Sequence, residues 1–234
     1  MQYNMIVPFG QRSDGRATIS FFEASAKKVG DELCRWLGGG GYTCEQYRVP
    51  DARAAWQQFF QSYHACPDAA ILTPTTTRWC AFIDNDKIAS MPFGELVSVS
   101  ERLQCRSVSF MLDDVQNAKS AARPYGVMFY YCDATSGNAV THSVAVIYDN
   151  GDWEYDEQGT ALLFEDVATY ESRRKADRLT NEMIKKYADF LGIRLNDPDG
   201  FYDFGGSIGI RWRLAKPVDT AESLRTIIDS WKKA

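Results

Sequence analysis

The chain has only two histidines, His64 and His142, and any histidine-dependent chemistry must draw on that pair. It has no Cys-x-x-Cys pair among its six cysteines, which excludes zinc-ribbon and thioredoxin-type sites. It has no Gly-x-Ser-x-Gly elbow, so the common serine-hydrolase entry is absent. No apolar run reaches the roughly 18 residues of a membrane helix. The opening Met1 to Pro8 lacks the basic and long apolar regions of a secretory signal. Basic charge is also in short supply. Formal net charge is −5, and the deficit is even: 11 basic and 13 acidic residues up to Ala118, then 15 and 18 after it. A nucleic-acid backbone needs a positive footprint, which neither half supplies.

What is present is the ordinary balance of a folded domain, with 45% apolar and 24% charged residues over 234 positions. Such a chain buries a sizeable core without metal or disulfide support. Cys34, Cys44, Cys66, Cys80, Cys105 and Cys132 are expected to be reduced and to act as small hydrophobes in a reducing, cytoplasmic compartment.

Periodicity organises the chain into alternating elements. Gln2–Val7 reads as a strand, Ile19–Leu37 as a helix stopped by Gly38–Gly41, Tyr42–Val49 as a strand, and the stretch after Pro50 as a second helix. Ala69–Thr73 and Arg78–Ile83 read as strands, Phe93–Leu103 as a helix, and Ser107–Leu112, Tyr125–Cys132 and His142–Tyr148 as strands. Asn150-Gly151 between β-rich runs is the preferred two-residue hairpin turn. Helices follow at Phe164–Arg174 and Thr180–Leu191, then a strand at Ser207–Leu214 and a last helix at Thr220–Trp231. The expectation is an α+β fold with a mixed, largely antiparallel sheet and flanking helices. It is read as one domain, with any lobe boundary near residues 65–90, where the pattern changes.

The glycine run closes a helix and enters a strand, the reverse of a phosphate loop, so it reads as a C-cap and connector. A nucleophilic cysteine needs a base; Cys132 with His142, oriented by Asp133, is the best available set. Asp113-Asp114 after a strand resembles a magnesium-binding pair, but two such acids usually mark an exposed loop. Arg173-Arg174-Lys175 with Arg178 forms the one dense basic cluster, and nearby Glu171, Asp177 and Glu182 suit a salt-bridged helix face. The remaining candidate is a protein-contact surface. Asp84 and Asp86 close one strand, while Asp149, Asp152, Trp153 and Glu154 surround the hairpin tip, a mix of acids and an aromatic that suits recognition.

Three segments carry a resemblance: Trp79-Cys80-Ala81-Phe82-Ile83-Asp84-Asn85, then Trp153-Glu154-Tyr155-Asp156-Glu157-Gln158-Gly159, then Tyr170–Thr180 with its Arg-Arg-x-x-Asp-Arg-x-Thr core. Over about residues 78–195 the chain resembles uncharacterised bacterial cytosolic proteins, some of which are immunity-type partners of toxins. The absence of a catalytic constellation, the acidic balance and this resemblance together give the expectation of a non-enzymatic binding module, an immunity or antitoxin-like protein, that meets a basic protein partner and needs no cofactor or metal. The competing expectation is a hydrolase or transferase assembled from Cys132, Asp133 and His142, or from Asp113 and Asp114 with a metal. Neither reading involves nucleic acid or a membrane.

Overall fold

A computed structural model describes residues 16–61, 68–85, 93–113, 125–195, 197 and 199–215. Nine strands form a single sheet in the order β2-β9-β3-β4-β1-β5-β6-β7-β8. They are β1 (Arg16–Phe22), β2 (Tyr42–Arg48), β3 (Ala69–Pro74), β4 (Cys80–Asp84), β5 (Arg106–Asp113), β6 (Tyr125–Asp133), β7 (Val140–Asp149), β8 (Asp152–Gly159) and β9 (Ile208–Leu214). Every pairing between them is antiparallel. The helices are α1 (Ala26–Gly39), α2 (Ala52–Gln61), α3 (Phe93–Leu103), α4 (Val167–Tyr170) and α5 (Asn181–Phe190). The α+β expectation therefore holds, with the sheet wholly antiparallel among the described residues. Within the interval 65–90, β3 and β4 are neighbours in this sheet and pair from Ala70↔Asp84 to Pro74↔Cys80.

Strand alternation sends apolar side chains to both faces. Ile19, Phe21, Ile83, Val108, Phe110, Val127, Phe129, Val144 and Val146 share one core with Trp56 of α2 and with Met183, Ile184 and Tyr187 of α5. On the other face Phe22, Leu72, Cys80 and Phe82 pack with Val29 and Leu33 of α1 and with Leu96 and Val99 of α3. Each fully buried large side chain contributes about 1.5–3 kcal/mol of transfer free energy. Two cores across one sheet explain why its central strands read as continuous apolar runs.

Two segments differ from the sequence reading. Residues 19–22, read as the start of a helix, belong to β1, because Thr18-Ile19-Ser20-Phe21 alternates with period two and pairs with β5 from Arg16↔Asp113 to Phe22↔Ser107. The helix begins after Ser25, whose side chain accepts from the Lys28 amide at 3.4 Å. The expected helix over Phe164–Arg174 is a turn, the short α4 and a 3-10 turn at Lys175–Asp177. There Glu165 turns inward, and its side chain is held by groups from β7 and α4 (below). The strand expected at Gln2–Val7 and the helix at Thr220–Trp231 lie outside the described residues.

The cysteine expectation is corrected in one respect. Cys34 of α1 and Cys44 of β2 form a disulfide, with Cα atoms 5.2 Å apart. Cys80, Cys105 and Cys132 are free and buried. No helix among the described residues is long and apolar enough to cross a membrane.

Candidate functional site at the β7–β8 edge

The hairpin forms as its turn residues dictate. Asn150 and Gly151 take φ values of 50° and 93°, the positive-φ pair that a two-residue loop with native strand twist requires. Pairing then runs from Asp149↔Asp152 to His142↔Gly159. β8 carries four carboxylates and no basic residue, in the sequence Asp-Trp-Glu-Tyr-Asp-Glu-Gln-Gly. Asp152, Glu154, Asp156 and Glu157 are all exposed. Trp153 and Tyr155 are half-buried and pack against the core. The Trp153 ring lies 5.3 Å from that of Tyr148 across the pair, and the Arg178 guanidinium sits 4.8 Å above the Tyr155 ring.

Beneath this edge lies a buried polar network that the sequence reading missed. His142 is 1% exposed, yet both ring nitrogens face acceptors: Nδ1 is 2.9 Å from the Gln158 carbonyl and Nε2 is 2.9 Å from Glu165 Oε2. A ring protonated at both nitrogens would donate to both acceptors, and the geometry pairs the imidazole with the Glu165 carboxyl group. Burial alone would lower the His142 pKa; the hydrogen bond and charge of Glu165, helped by the Gln158 carbonyl, outweigh it and raise the pKa above the ordinary histidine value. Glu165 also accepts from the Tyr170 hydroxyl at 2.5 Å and, through Oε1, from the Leu162 amide at 2.8 Å. Tyr187 OH, 3.1 Å from Tyr170 OH, donates to it and accepts from the Asp166 amide. Burial and these neighbours push the Tyr170 hydroxyl far up, so it stays a donor. The network ties the segment after β8 to β7 and α5. With its polar atoms matched to one another and closed to solvent, it holds structure rather than reacting.

The proposed contact residues divide. Asp152, Trp153 and Glu154 lie together on β8, and half-buried Asp149 sits opposite Asp152. Asp84 is 4% exposed at the end of β4 and is corrected from a surface contact to a buried position. Asn85 after it accepts from the Asp68 and Ala69 amides and donates to the Asp68 carboxylate, which ties the end of β4 to the start of β3. Asp86 lies outside the described residues.

The cysteine-nucleophile set does not assemble. Cys132 pairs with Thr141, and His142 pairs with Tyr131, one position along. A one-residue offset on adjacent strands puts the two side chains on opposite faces of the sheet. Burial pushes the Cys132 thiol up to about 11, which leaves it un-ionised and unreactive. Asp133 is occupied by the Thr135 amide and hydroxyl. Asp113 is 1% exposed, accepts from the Gly126 amide at 3.1 Å, and Asp114 lies outside the described residues. Among the described residues no group of three or more His, Cys, Asp or Glu side chains is placed to hold a metal ion. The basic cluster is a set of surface contacts: Arg174 meets Asp177 at 3.6 Å, and Arg178 donates to the Ser172 carbonyl. At the far edge of the sheet an open depression of about 360 Å³ is lined by Gln46, Tyr47, Arg48 and Gly205–Ile208. Comparison with known protein families, characterised proteins and solved structures finds no match to this chain.

Proposed function

We propose that this chain is a protein-binding module of the immunity or antitoxin type, engaging a basic partner through the β7–β8 edge. The observation that carries the reading is β8 itself, a terminal strand whose four charged residues are all acidic and all exposed. Single-sign charge along one edge steers a partner of opposite sign and repels copies of itself. Half-buried Trp153 and Tyr155 in the same strand supply aromatic contact area of the kind that dominates binding energy. The resemblance through Trp79–Asn85, Trp153–Gly159 and Tyr170–Thr180 supports a toxin as the partner.

The test is capture of partners by the tagged full chain from its native lysate, beside a variant carrying Asp152→Lys, Glu154→Lys and Asp156→Lys. One stoichiometric partner, lost with the variant, is expected. That partner expressed alone should arrest growth, and co-expression of this chain should restore it. A partner retained by the variant overturns the assignment of the edge, and the absence of any partner overturns the binding reading.

A further inference from the structure

Large apolar side chains exposed one at a time are ordinary on a protein surface; several gathered together mark a contact. Five are exposed among the described residues: Val140, Leu163, Val167, Phe190 and Leu214. Three of them gather at the segment that follows β8. Leu163 and Val167 lie on it, and Phe190 of α5 meets it through Phe164, with ring centroids 4.7 Å apart. The segment adjoins β8, since the rings of Tyr155 and Tyr170 lie 6.0 Å from each other.

Leu163 is the most exposed of the five, and it sits where apolar residues are least at home. The Glu165 amide donates to the Leu162 carbonyl at 3.0 Å, which closes a four-residue turn with Leu163 and Phe164 in its two central positions. Gly, Pro, Asn, Asp and Ser ordinarily fill such positions, because their own chemistry favours the turn. Here the turn is held from beneath instead. Glu165 accepts from the Leu162 amide at 2.8 Å through one oxygen, while the other faces His142 and Tyr170. Phe164 packs on Tyr187, with centroids 5.6 Å apart. The buried network thus fixes the turn while Leu163 stands out in solvent. A contact residue whose backbone is fixed beforehand costs less ordering on binding.

The charge around the turn has one sign along the chain. From Asp152 to Ser172 there are seven acids and no lysine, arginine or histidine. All but Glu165 are exposed. Arg178, the cation packed on β8, is engaged by the Tyr155 ring and the Ser172 carbonyl. On α5, Lys186 one turn before Phe190 and Asp189 beside it add one charge of each sign. Resting on the binding reading above, we infer that Leu163 is the anchor of that interface: the turn seats it in an apolar cleft of the partner, whose rim carries lysine or arginine toward Asp166 and the acids of β8. An apolar centre within a polar rim is the ordinary anatomy of a protein interface. Charge selects this occupant over a second copy of the chain, which would bring two acidic segments together.

The test places a photo-crosslinking benzophenone side chain at position 163 of the tagged full chain in native lysate, with the same group at Leu214 of β9 as the control. Position 163 should give one adduct that position 214 does not, and the crosslinked peptide of the partner should hold apolar residues close to lysine or arginine. Leu163→Ser, at a fully exposed position, should leave the unfolding midpoint unchanged. It should weaken binding of the purified crosslinked partner by at least about tenfold, the effect of losing one buried leucine side chain. An adduct to a second copy of this chain, or to residues 216–234 of the same chain, names a different occupant and overturns the inference. So does an adduct to an acidic or wholly polar peptide. A partner captured equally by the wild type and Leu163→Ser keeps the binding reading and removes Leu163 as its anchor. No captured partner and no adduct removes both.

Discussion

The two edges of the sheet are secured by different physics. β2 is clamped locally: Cys44 is bonded to Cys34 of α1, Gln46 donates to Asp31 of the same helix at 2.9 Å, and Arg211 of β9 lies over the Tyr47 ring. Its own charges are mixed, Glu45 with Arg48. β8 is held from below, by its hairpin and by the His142–Glu165–Tyr170–Tyr187 network that anchors the chain leaving it. None of its outward carboxylates takes part in that network. At β2 the exposed groups tie the strand to its neighbours; at β8 the long-range holding groups are buried, while among the described residues the outer carboxylates Asp152, Asp156 and Glu157 accept only from groups of their own strand, the Trp153 amide, the Gln158 side chain and the Tyr155 hydroxyl.

The largest way to break this contrast is at the network. His142→Ala leaves the Glu165 carboxylate buried without its cation, and removing one member of a buried pair costs about 3–5 kcal/mol. Urea unfolding should show that loss, with hydrogen exchange rising first over β8 and residues 160–170. The same pair sets a pH dependence. Because the folded-state pKa of His142 is raised, its contribution is complete below the ordinary histidine value of about 6.5 and is lost as pH rises through the raised value. The stability difference between the wild type and His142→Gln should therefore shrink as the pH rises above about 6.5; a difference that grows instead would overturn the assignment of the raised pKa to His142.

At the other edge, Cys34→Ser with Cys44→Ser removes a link spanning 10 residues, worth about 2–3 kcal/mol by loop-closure entropy. Unfolding under reducing and oxidising conditions should reproduce that difference in the wild type and abolish it in the variant. Capture of the partner by the folded variant should be unchanged, since the strands lie at opposite ends of a nine-stranded sheet. A loss of partner capture in the folded variant would show that the two edges are coupled.

Much of this architecture was legible because it is local. Asn150-Gly151 announces its hairpin through the positive φ that both positions need, and Phe93–Leu103 carries a helical period that the structure reproduces residue for residue. Ile19 was misread because Phe22, Ala26 and Val29 suit a helical spacing as well as the end of a strand followed by a helix. The long-range pairings were not legible. Glu165 stands 23 residues from His142 and reaches it only because the chain after β8 folds back over the sheet. The signal available was a lone histidine at an inward position of a strand, in phase with Val144 and Val146. Asp84 looked like a solvated strand end, yet β4 lies between β3 and β1 with both faces covered. The disulfide joins a helix to the next strand, and only the packing of α1 on β2 brings its two cysteines together.

The smallest effect is the sharpest test of the contrast. Side chains two apart on one face of a strand stand about 6.6 Å from each other, so Glu154 feels Asp152 on one side and Asp156 on the other. Glu154→Lys turns two repulsions into two attractions, and each is worth only tenths of a kcal/mol at an exposed position. Unfolding free energy should stay the same or rise by less than about 1 kcal/mol, most visibly at low salt where screening is weak. Partner binding should fall by at least about tenfold. A surface whose acids can be reversed without cost to the fold, and only with cost to binding, has its charge for the partner's sake. If Glu154→Lys instead destabilised the chain by more than about 1 kcal/mol, the β8 acids would be holding groups after all, and the two edges would differ in detail rather than in kind.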